Sequence, residues 1–320
     1  MPDQAAHICC VAQEEFGPFD TQSWKVWIFG NAHSRADSQL VLRLLKTYIF
    51  PRPSVMIDTI RQLFRSKRAR HVPAIPAGAR VYAVGDVHGR LDLFTAIVEA
   101  IEADDRNRGQ ARTEIVLLGD LIDRGPDSAA VLRSARQWQE RRKVRILAGN
   151  HEEMFLQSCT RLDALGSFLR FGGYETVLSY PVDRIALQSA DLATAQRLMC
   201  EAVPETDLEF IRGFEDWVAI GDYLFVHAGI RPGTPMEQQH TDDLHWIRQP
   251  FLNDTRDHGH VIVHGHSICP EAEIRGNRIG IDTGAFMSGR LTALGLEGTE
   301  RWIIETEVHE GEISISMRPA

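Results

Sequence analysis

From residue 80 onward the apolar positions fall into a repeating order. Val81–Val84 is a short, uninterrupted β-prone run that stops at Gly85-Asp86-Val87-His88-Gly89. Leu91, Leu93, Phe94, Ile97, Val98 and Ile101 follow at helical spacing, which predicts an amphipathic helix. A second apolar run, Ile115–Leu118, stops at Gly119-Asp120-Leu121-Ile122-Asp123-Arg124-Gly125, and Ser128–Trp138 predicts the next helix. A third, Val144–Leu147, runs into Gly149-Asn150-His151-Glu152 ahead of a further helix. This β-α-β-α-β order predicts a largely parallel sheet. Each strand ends in a polar motif, and the carboxyl ends of such strands are where open α/β sheets gather ligands.

Beyond this unit the pattern changes. Residues 153–215 are helical in composition, with breaks at Gly172-Gly173 and Tyr180-Pro181. They read as an inserted helical cap beside the strand ends, or equally as a helical layer over one sheet face. The β signal returns at Tyr223–Val226, ending in His227-Ala228-Gly229, and at Val261–Val263, ending in His264-Gly265-His266. Arg278–Ile281, Leu291–Leu296, Arg301–Glu305 and Ile313–Met317 are short strand-like runs separated by glycines, as in an antiparallel half-sheet.

Residues 1–77 lack a clean period. Leu40–Leu45 and Ile57–Leu63 fit short helices, and the basic cluster Arg65–Arg70 reads as a solvated linker. Pro73, Pro76 and Gly78 then punctuate the chain. The expected organisation is an N-terminal extension over 1–77, with Met56 as an alternative start, and a catalytic α/β domain over 78–320.

Composition narrows the class. The chain has 320 residues, 43% hydrophobic and 25% charged, with a net charge of −9. That balance is ordinary for a soluble globular protein and argues against a nucleic-acid-binding surface. No apolar run is long enough to span a bilayer. The five cysteines (Cys9, Cys10, Cys159, Cys200, Cys269) are odd in number and lack metal-ligand spacing beyond one adjacent pair. They fit a reducing compartment, and the expected location is the cytoplasm.

The strand-end residues carry the candidate chemistry. Asp86, His88, Asp120, Asn150, His227 and either His264 or His266 offer carboxylate, imidazole and amide oxygen. That donor mixture suits manganese, iron or zinc. Calcium would seldom use so many histidines, and structural zinc would favour cysteines. Asp120 sits on the middle of three consecutive strands and is placed to bridge two metals. Two ions about 3.5–4 Å apart would polarise a bridging water and clamp a phosphoryl oxygen.

The motifs GDVHG, GDLIDRG, GNHE, VHAG and GHS, in this order over residues 80–297, resemble the metallophosphoesterase superfamily. Within it they are similar to serine/threonine phosphoprotein phosphatases of bacterial and phage type. The resemblance implies a sandwich of two mixed β-sheets flanked by helices, with two divalent metals, manganese foremost, at the strand ends. It assigns Asp86, His88 and Asp120 to one metal, and Asp120, Asn150, His227 and His266 to the other. His264 is then a satisfied core residue. His151 matches the family's general acid, and Asp123 would orient its imidazole. Arg124 offers a planar fork to phosphate, and Arg248 resembles a second phosphate-binding arginine. Glu152 is expected to be structural, and His240, His245, His258 and His260 to lie at the surface.

Two departures refine the expected substrate. Ser267-Ile268 stands where diester-cleaving relatives carry a second histidine, which favours monoester hydrolysis. The C-terminal element by which eukaryotic phosphatases are known is missing, so no obligate regulatory subunit is expected. The leading expectation is a metal-dependent phosphatase acting on phosphoproteins or small phosphorylated substrates, with no nucleic-acid or membrane partner. The alternatives are a dinucleoside polyphosphate hydrolase and, from another class, a non-catalytic scaffold.

Overall fold

The uninterrupted apolar runs become strands because each is covered on both faces. A computed structural model describes residues 72–320, a single compact unit from Val72 to Ala320. The expected helices at Leu40–Leu45 and Ile57–Leu63 and the basic cluster at Arg65–Arg70 lie outside the described residues. Strands β1 (Ala79–Val84), β2 (Arg112–Leu117) and β3 (Val144–Ile146) alternate with helices α1 (Leu91–Asn107) and α2 (Ser128–Arg141). Helix α3 (Asn150–Ser158) follows directly, and α4 (Leu162–Phe168), α5 (Tyr174–Ser179), α6 (Arg184–Ser189), α7 (Leu192–Ala202) and α8 (Glu205–Arg212) make up the inserted segment. The chain then forms β4 (Trp217–Ile220), β5 (Tyr223–Val226), α9 (Thr241–Trp246), β6 (Val261–His264), β7 (Glu273–Ile274) and β8 (Arg278–Gly280). It ends with α10 (Ala285–Ser288), β9 (Thr292–Glu297), β10 (Glu300–His309) and β11 (Glu312–Pro319).

These strands build a six-stranded sheet, in the order β11-β10-β9-β1-β2-β3, and a five-stranded sheet, in the order β4-β5-β6-β8-β7. Both sheets are mixed. β1, β2 and β3 run parallel, and β9 returns antiparallel to β1. In the second sheet β5, β6 and β8 are parallel, with antiparallel strands at each edge. Successive side chains alternate between faces. Val81 and Ala83 of β1, and Tyr223 and Phe225 of β5, join one apolar cluster shared by the two sheets. Tyr82 and Val84 instead pack with α1 and α2 residues such as Phe94 and Trp138. Leu224 and Val226 pack against Leu244, Ile247 and Phe251. The two sheets flanked by helices are the fold the motifs implied.

Register matters for the site. Val84 lies opposite Leu117 in the parallel β1–β2 pair, and Phe225 opposite Val263 in β5–β6. The motif-bearing loops therefore leave their strands side by side.

Three details differ from the pattern reading. β8 joins the second sheet, parallel to β6, instead of the antiparallel group; a short apolar run records that it is buried but not which strand it pairs with. The inserted helices bury Leu165, Phe168, Val177 and Met199 in the same cluster as Tyr82 and Val84, so they extend a helical layer, and they also reach the site. The packed chain begins ahead of Gly78: Ile75 is buried, and its N–H donates to the Gly298 carbonyl at 2.8 Å. Among the described residues, no helix is long and apolar enough to cross a membrane.

Candidate metal centre

The loops after β1, β2, β3, β5 and β6 converge, and their backbone is unusual. His88, Asp120, Asp123, Arg124 and His266 all adopt positive φ, between 49° and 74°. Apart from Glu310, they are the non-glycine residues that do so in the described chain. Each such residue stores strain of about 1–3 kcal/mol, which persists only where surrounding contacts enforce it. Two glycines make the close approach possible. A Cβ on Gly149 would collide with Asp120 Oδ1, and one on Gly265 with Asp86 Oδ1.

The convergence gathers the predicted ligands. His88, Asp120 and His151 form one group of donor atoms, and Asp120, His227 and His266 a second, with all atoms in each group within 4.8 Å of one another. Asp120 belongs to both. Its Oδ2 lies 3.7 Å from His88 Nε2, and its Oδ1 3.4 Å from His227 Nε2. Asn150 Oδ1 lies 3.1 Å from His227 Nε2 and 2.8 Å from His266 Nδ1. Asp86 joins through the His266 backbone N–H, which donates to it at 3.0 Å.

Hydrogen bonds behind the rings orient them. His88 Nδ1 donates to the Ile122 carbonyl at 2.9 Å and His227 Nδ1 to the Leu118 carbonyl at 2.7 Å, which leaves both Nε2 lone pairs facing the cluster. Burial pushes the His88 and His266 imidazoles down to about 3 and also lowers His227. They are therefore neutral near pH 7, the form that coordinates metals. Burial also raises Asp86, with Asp282 and Asp120 adding to the effect. Burial works against ionisation of Asp120 too, but the imidazoles around it prevail and hold it below the usual carboxylate range.

The acid–carboxylate pair is equally well defined. His151 Nδ1 and Asp123 Oδ2 are 2.6 Å apart, both buried. Burial would lower the His151 pKa, but Asp120 and Asp123 raise it. Arg124 caps the cluster, donating from its two terminal nitrogens to His88 Nε2 at 2.8 Å and His151 Nε2 at 2.9 Å. Arg248 is exposed at the rim, 3.4 Å from the His266 carbonyl. His264 lies outside the cluster, buried against Phe251. Glu152 accepts the backbone N–H groups of Asp120, Leu121 and Gly149 at 2.8–3.0 Å, bracing two ligand loops together.

Other residues were missed or misplaced by the sequence pattern. Thr176, from the inserted helices, donates to Asp123 Oδ1 at 2.6 Å and accepts the Asp123 N–H at 2.9 Å. No motif marks it. His245 is buried, contrary to the surface position expected. Its Nδ1 lies 3.1 Å from Glu153, and its Nε2 3.2 Å from Asp216. The polar neighbours of His245 in sequence disguised these distant partners.

The donor set fits divalent transition metals. Carboxylates, neutral imidazoles and an amide oxygen converge from five loops, and the buried Nε2 of His266 has no hydrogen-bond partner. Asp86, His88 and Asp120 would hold one ion, and Asp120, Asn150, His227 and His266 a second.

Comparison with known proteins agrees. The calcineurin-like phosphoesterase family pattern matches residues 79–285. The asymmetrical bis(5'-nucleosyl)-tetraphosphatase of Bacillus velezensis is 24% identical over 247 residues, covering 70% of this chain and 92% of its own. Serine/threonine-protein phosphatase 1 of Salmonella typhimurium is 27% identical over 244 residues, covering 73% and 96%. A solved structure of a candidate diadenosine tetraphosphatase superposes with a TM-score of 0.50 at 18% identity, covering 78% of this chain and 99% of its own, and supports the fold alone. From the matched motifs, the two-sheet fold and the bridged donor cluster, the chain belongs to the calcineurin-like metallophosphoesterase family, whose members use a dinuclear divalent metal site, and is a hydrolase of that family.

Proposed function

We propose that the chain is a phosphomonoesterase for phosphoserine and phosphothreonine in proteins, working with two manganese ions or, failing those, iron or zinc. The observation that carries this reading is the buried His151–Asp123 pair beside Arg124. An alkoxide leaves phosphorus with difficulty unless it is protonated as it departs, so monoester chemistry benefits from a positioned acid. The metals would supply Lewis-acid polarisation of a phosphoryl oxygen and an activated water for in-line attack.

The rest falls to the chain's own residues. Asp123 accepts from His151 Nδ1 and so leaves Nε2 as the nitrogen that delivers the proton. The Asp120 and Asp123 carboxylates raise the basicity of that ring, which keeps its acid form available nearer neutral pH. Arg124 spends two N–H groups on imidazoles, and a phosphoryl group can take these over in a bidentate contact. Arg248, at the rim, is the second candidate for phosphate. On this reading the partners are phosphoproteins in the cytoplasm, with no nucleic acid and no obligate regulatory subunit.

The B. velezensis relative supports a second reading, dinucleoside polyphosphate hydrolysis. The two separate in one experiment: kcat/KM of the manganese-loaded protein on a phosphoserine peptide and on diadenosine tetraphosphate, with an EDTA-treated control. Faster, metal-dependent phosphate release from the peptide supports the phosphoprotein reading, and faster dinucleotide cleavage replaces it.

A further inference from the structure

One edge of the six-stranded sheet is left open. Among the described residues β11 pairs with β10 alone. The other three edge strands are short: β3 has three residues, β4 four and β7 two. Short edges protect a sheet against unwanted strand pairing. β11 has eight residues. Its ladder with β10 runs from Glu312 to Pro319 without a bulge, and no lysine guards it.

The ladder shows which groups are free. The Ala320 N–H donates to the Arg301 carbonyl at 3.1 Å, and hydrogen-bonded pairs recur at every second residue of an antiparallel ladder. Glu312, Ser314, Ser316 and Arg318 therefore turn their N–H and C=O groups to β10, and Ile313, Ile315 and Met317 turn theirs outward. Side chains sort by the same alternation. Ile313, Ile315 and Met317 share the face of Ile304, a core residue, and Ile315 is 42% exposed and Met317 49%. Apolar side chains beside an outward row of backbone donors and acceptors fit another strand.

The sequence of β11 selects that strand. Glu312-Ile313-Ser314-Ile315-Ser316-Met317-Arg318 is self-complementary about Ile315. Laid antiparallel on a second copy with Ile315 opposite Ile315, Ile313 meets Met317, Ser314 meets Ser316 and Glu312 meets Arg318. Outward residues then face outward residues, so each such pair exchanges both backbone hydrogen bonds. A slip of two residues opposes Glu312 to Ser316 or to Ala320 and loses the charge pair. The neighbouring charges on that face are answered within the chain: Glu305 Oε2 lies 3.5 Å from Arg318 Nε, and Glu307 Oε1 3.7 Å from Arg290. Arg318 keeps its terminal nitrogens for a second carboxylate. Glu312, exposed and opposite His309 in the hairpin, has no ion-pair partner among the described residues.

We infer that the chain forms a two-fold dimer through β11, which joins two six-stranded sheets into one continuous sheet. A two-fold axis beside Ile315 makes the contact self-complementary and closed, as a symmetric pair requires. The inference is independent of the substrate. One strand pair is a small interface, so the dimer is expected to have roughly micromolar affinity.

The test is sedimentation velocity of the full-length protein from about 1 to 100 μM, a range that spans that affinity. A concentration-dependent dimer is expected. Ile315→Lys places two cations at the axis and should leave a monomer throughout. Glu312→Arg sets like charges opposite each other at both ends of the contact and should weaken the dimer about tenfold. Glu237→Arg makes the same charge change at an exposed residue outside both sheets and should leave the dimer as it was. Glu312 and Ile315 are exposed, so thermal unfolding should show both variants folded. A wild-type chain that stays monomeric at the top of the range overturns the inference, as does a dimer that survives Ile315→Lys. A dimer that treats Glu312→Arg like Glu237→Arg overturns the register and, with it, the two-fold contact.

Discussion

Both ends of the six-stranded sheet bury charge, but they resolve it in opposite ways. At the start of β1, Arg80 is buried with its Nε on Glu297 at 2.8 Å and its Nη1 on Asp105 at 2.8 Å. The carbonyls of Asp105 and Gly109 take further contacts at 3.0 and 3.1 Å. Asp104 beside it accepts from Tyr82 at 2.7 Å, Trp302 at 2.9 Å and Arg108 at 2.9 Å. Cations and anions there answer one another within the chain. At the other end of the same strand, Asp86, His88, Asp120, Asn150, His227 and His266 crowd together as carboxylates, amide and neutral imidazoles, and one guanidinium caps them. Buried charge that is fully paired has no use for a partner from outside, and removing one member of the pair is costly. Buried donors that face one another across a cluster, on strained backbone, are arranged for something from outside the chain.

The sharpest way to break this contrast is at the residue shared by both donor groups. Asp120→Asn removes a bridging carboxylate and should lower metal content from two ions per chain to less than one and abolish turnover, read by elemental analysis and phosphate release. Retention of both ions with normal kcat would end the two-metal reading. Next in size is His151→Asn. It should keep both ions but lower kcat by roughly 10²- to 10⁴-fold on an alkyl phosphate, the usual worth of a positioned acid. An activated aryl phosphate, whose leaving group needs little protonation, should be much less affected. Equal losses on both substrates would remove His151 from the role of acid.

Thr176→Val sharpens the same contrast more gently. It deletes the hydroxyl that Asp123 receives at 2.6 Å but leaves every donor of the cluster in place. Support of this kind is worth about 10- to 100-fold in activity, and since the His151–Asp123 bond itself survives, about tenfold is expected on the alkyl phosphate. Thr176→Ser should restore the rate, because it returns the hydroxyl. A tenfold loss that serine does not rescue would indicate packing, not orientation of Asp123.

How much of this was legible in the sequence depends on the range of the contact. The strand-end motifs could be read directly, because an apolar run cut short by glycine and a polar residue is a local signal. His227 and His266 came from the same signal, and the family resemblance separated His266 from His264. Thr176 could not be found this way. It is a single hydroxyl in a helical stretch, and its partner lies 53 positions away. His245 was misplaced for the same reason, since its partner Glu153 is 92 positions distant. The placement of β8 failed differently: burial is written in composition, whereas strand pairing is decided by the whole sheet. Arg80 carries no local signal of its pairing, because an arginine at a strand start looks solvated until Glu297, 217 positions on, is seen to meet it.

Arg80 therefore supplies the last and smallest effect on catalysis, and the cleanest control. Arg80→Met keeps the buried stem but strands Glu297 without its cation and leaves Asp105 to Arg142, 2.6 Å away. Breaking a buried pair by removing one partner costs about 3–5 kcal/mol, and the part-exposed Glu297 moves the expectation to the low end, ~3 kcal/mol. The urea midpoint should fall accordingly, while metal content and kcat of the folded fraction stay at wild-type values, because no Arg80 contact reaches the donor cluster. Asp120→Asn should show the reverse, with turnover lost from a chain that still folds. If Arg80→Met instead lowers metal occupancy, the two ends of the sheet are mechanically coupled. The division between an end that stabilises and an end that reacts would then be wrong.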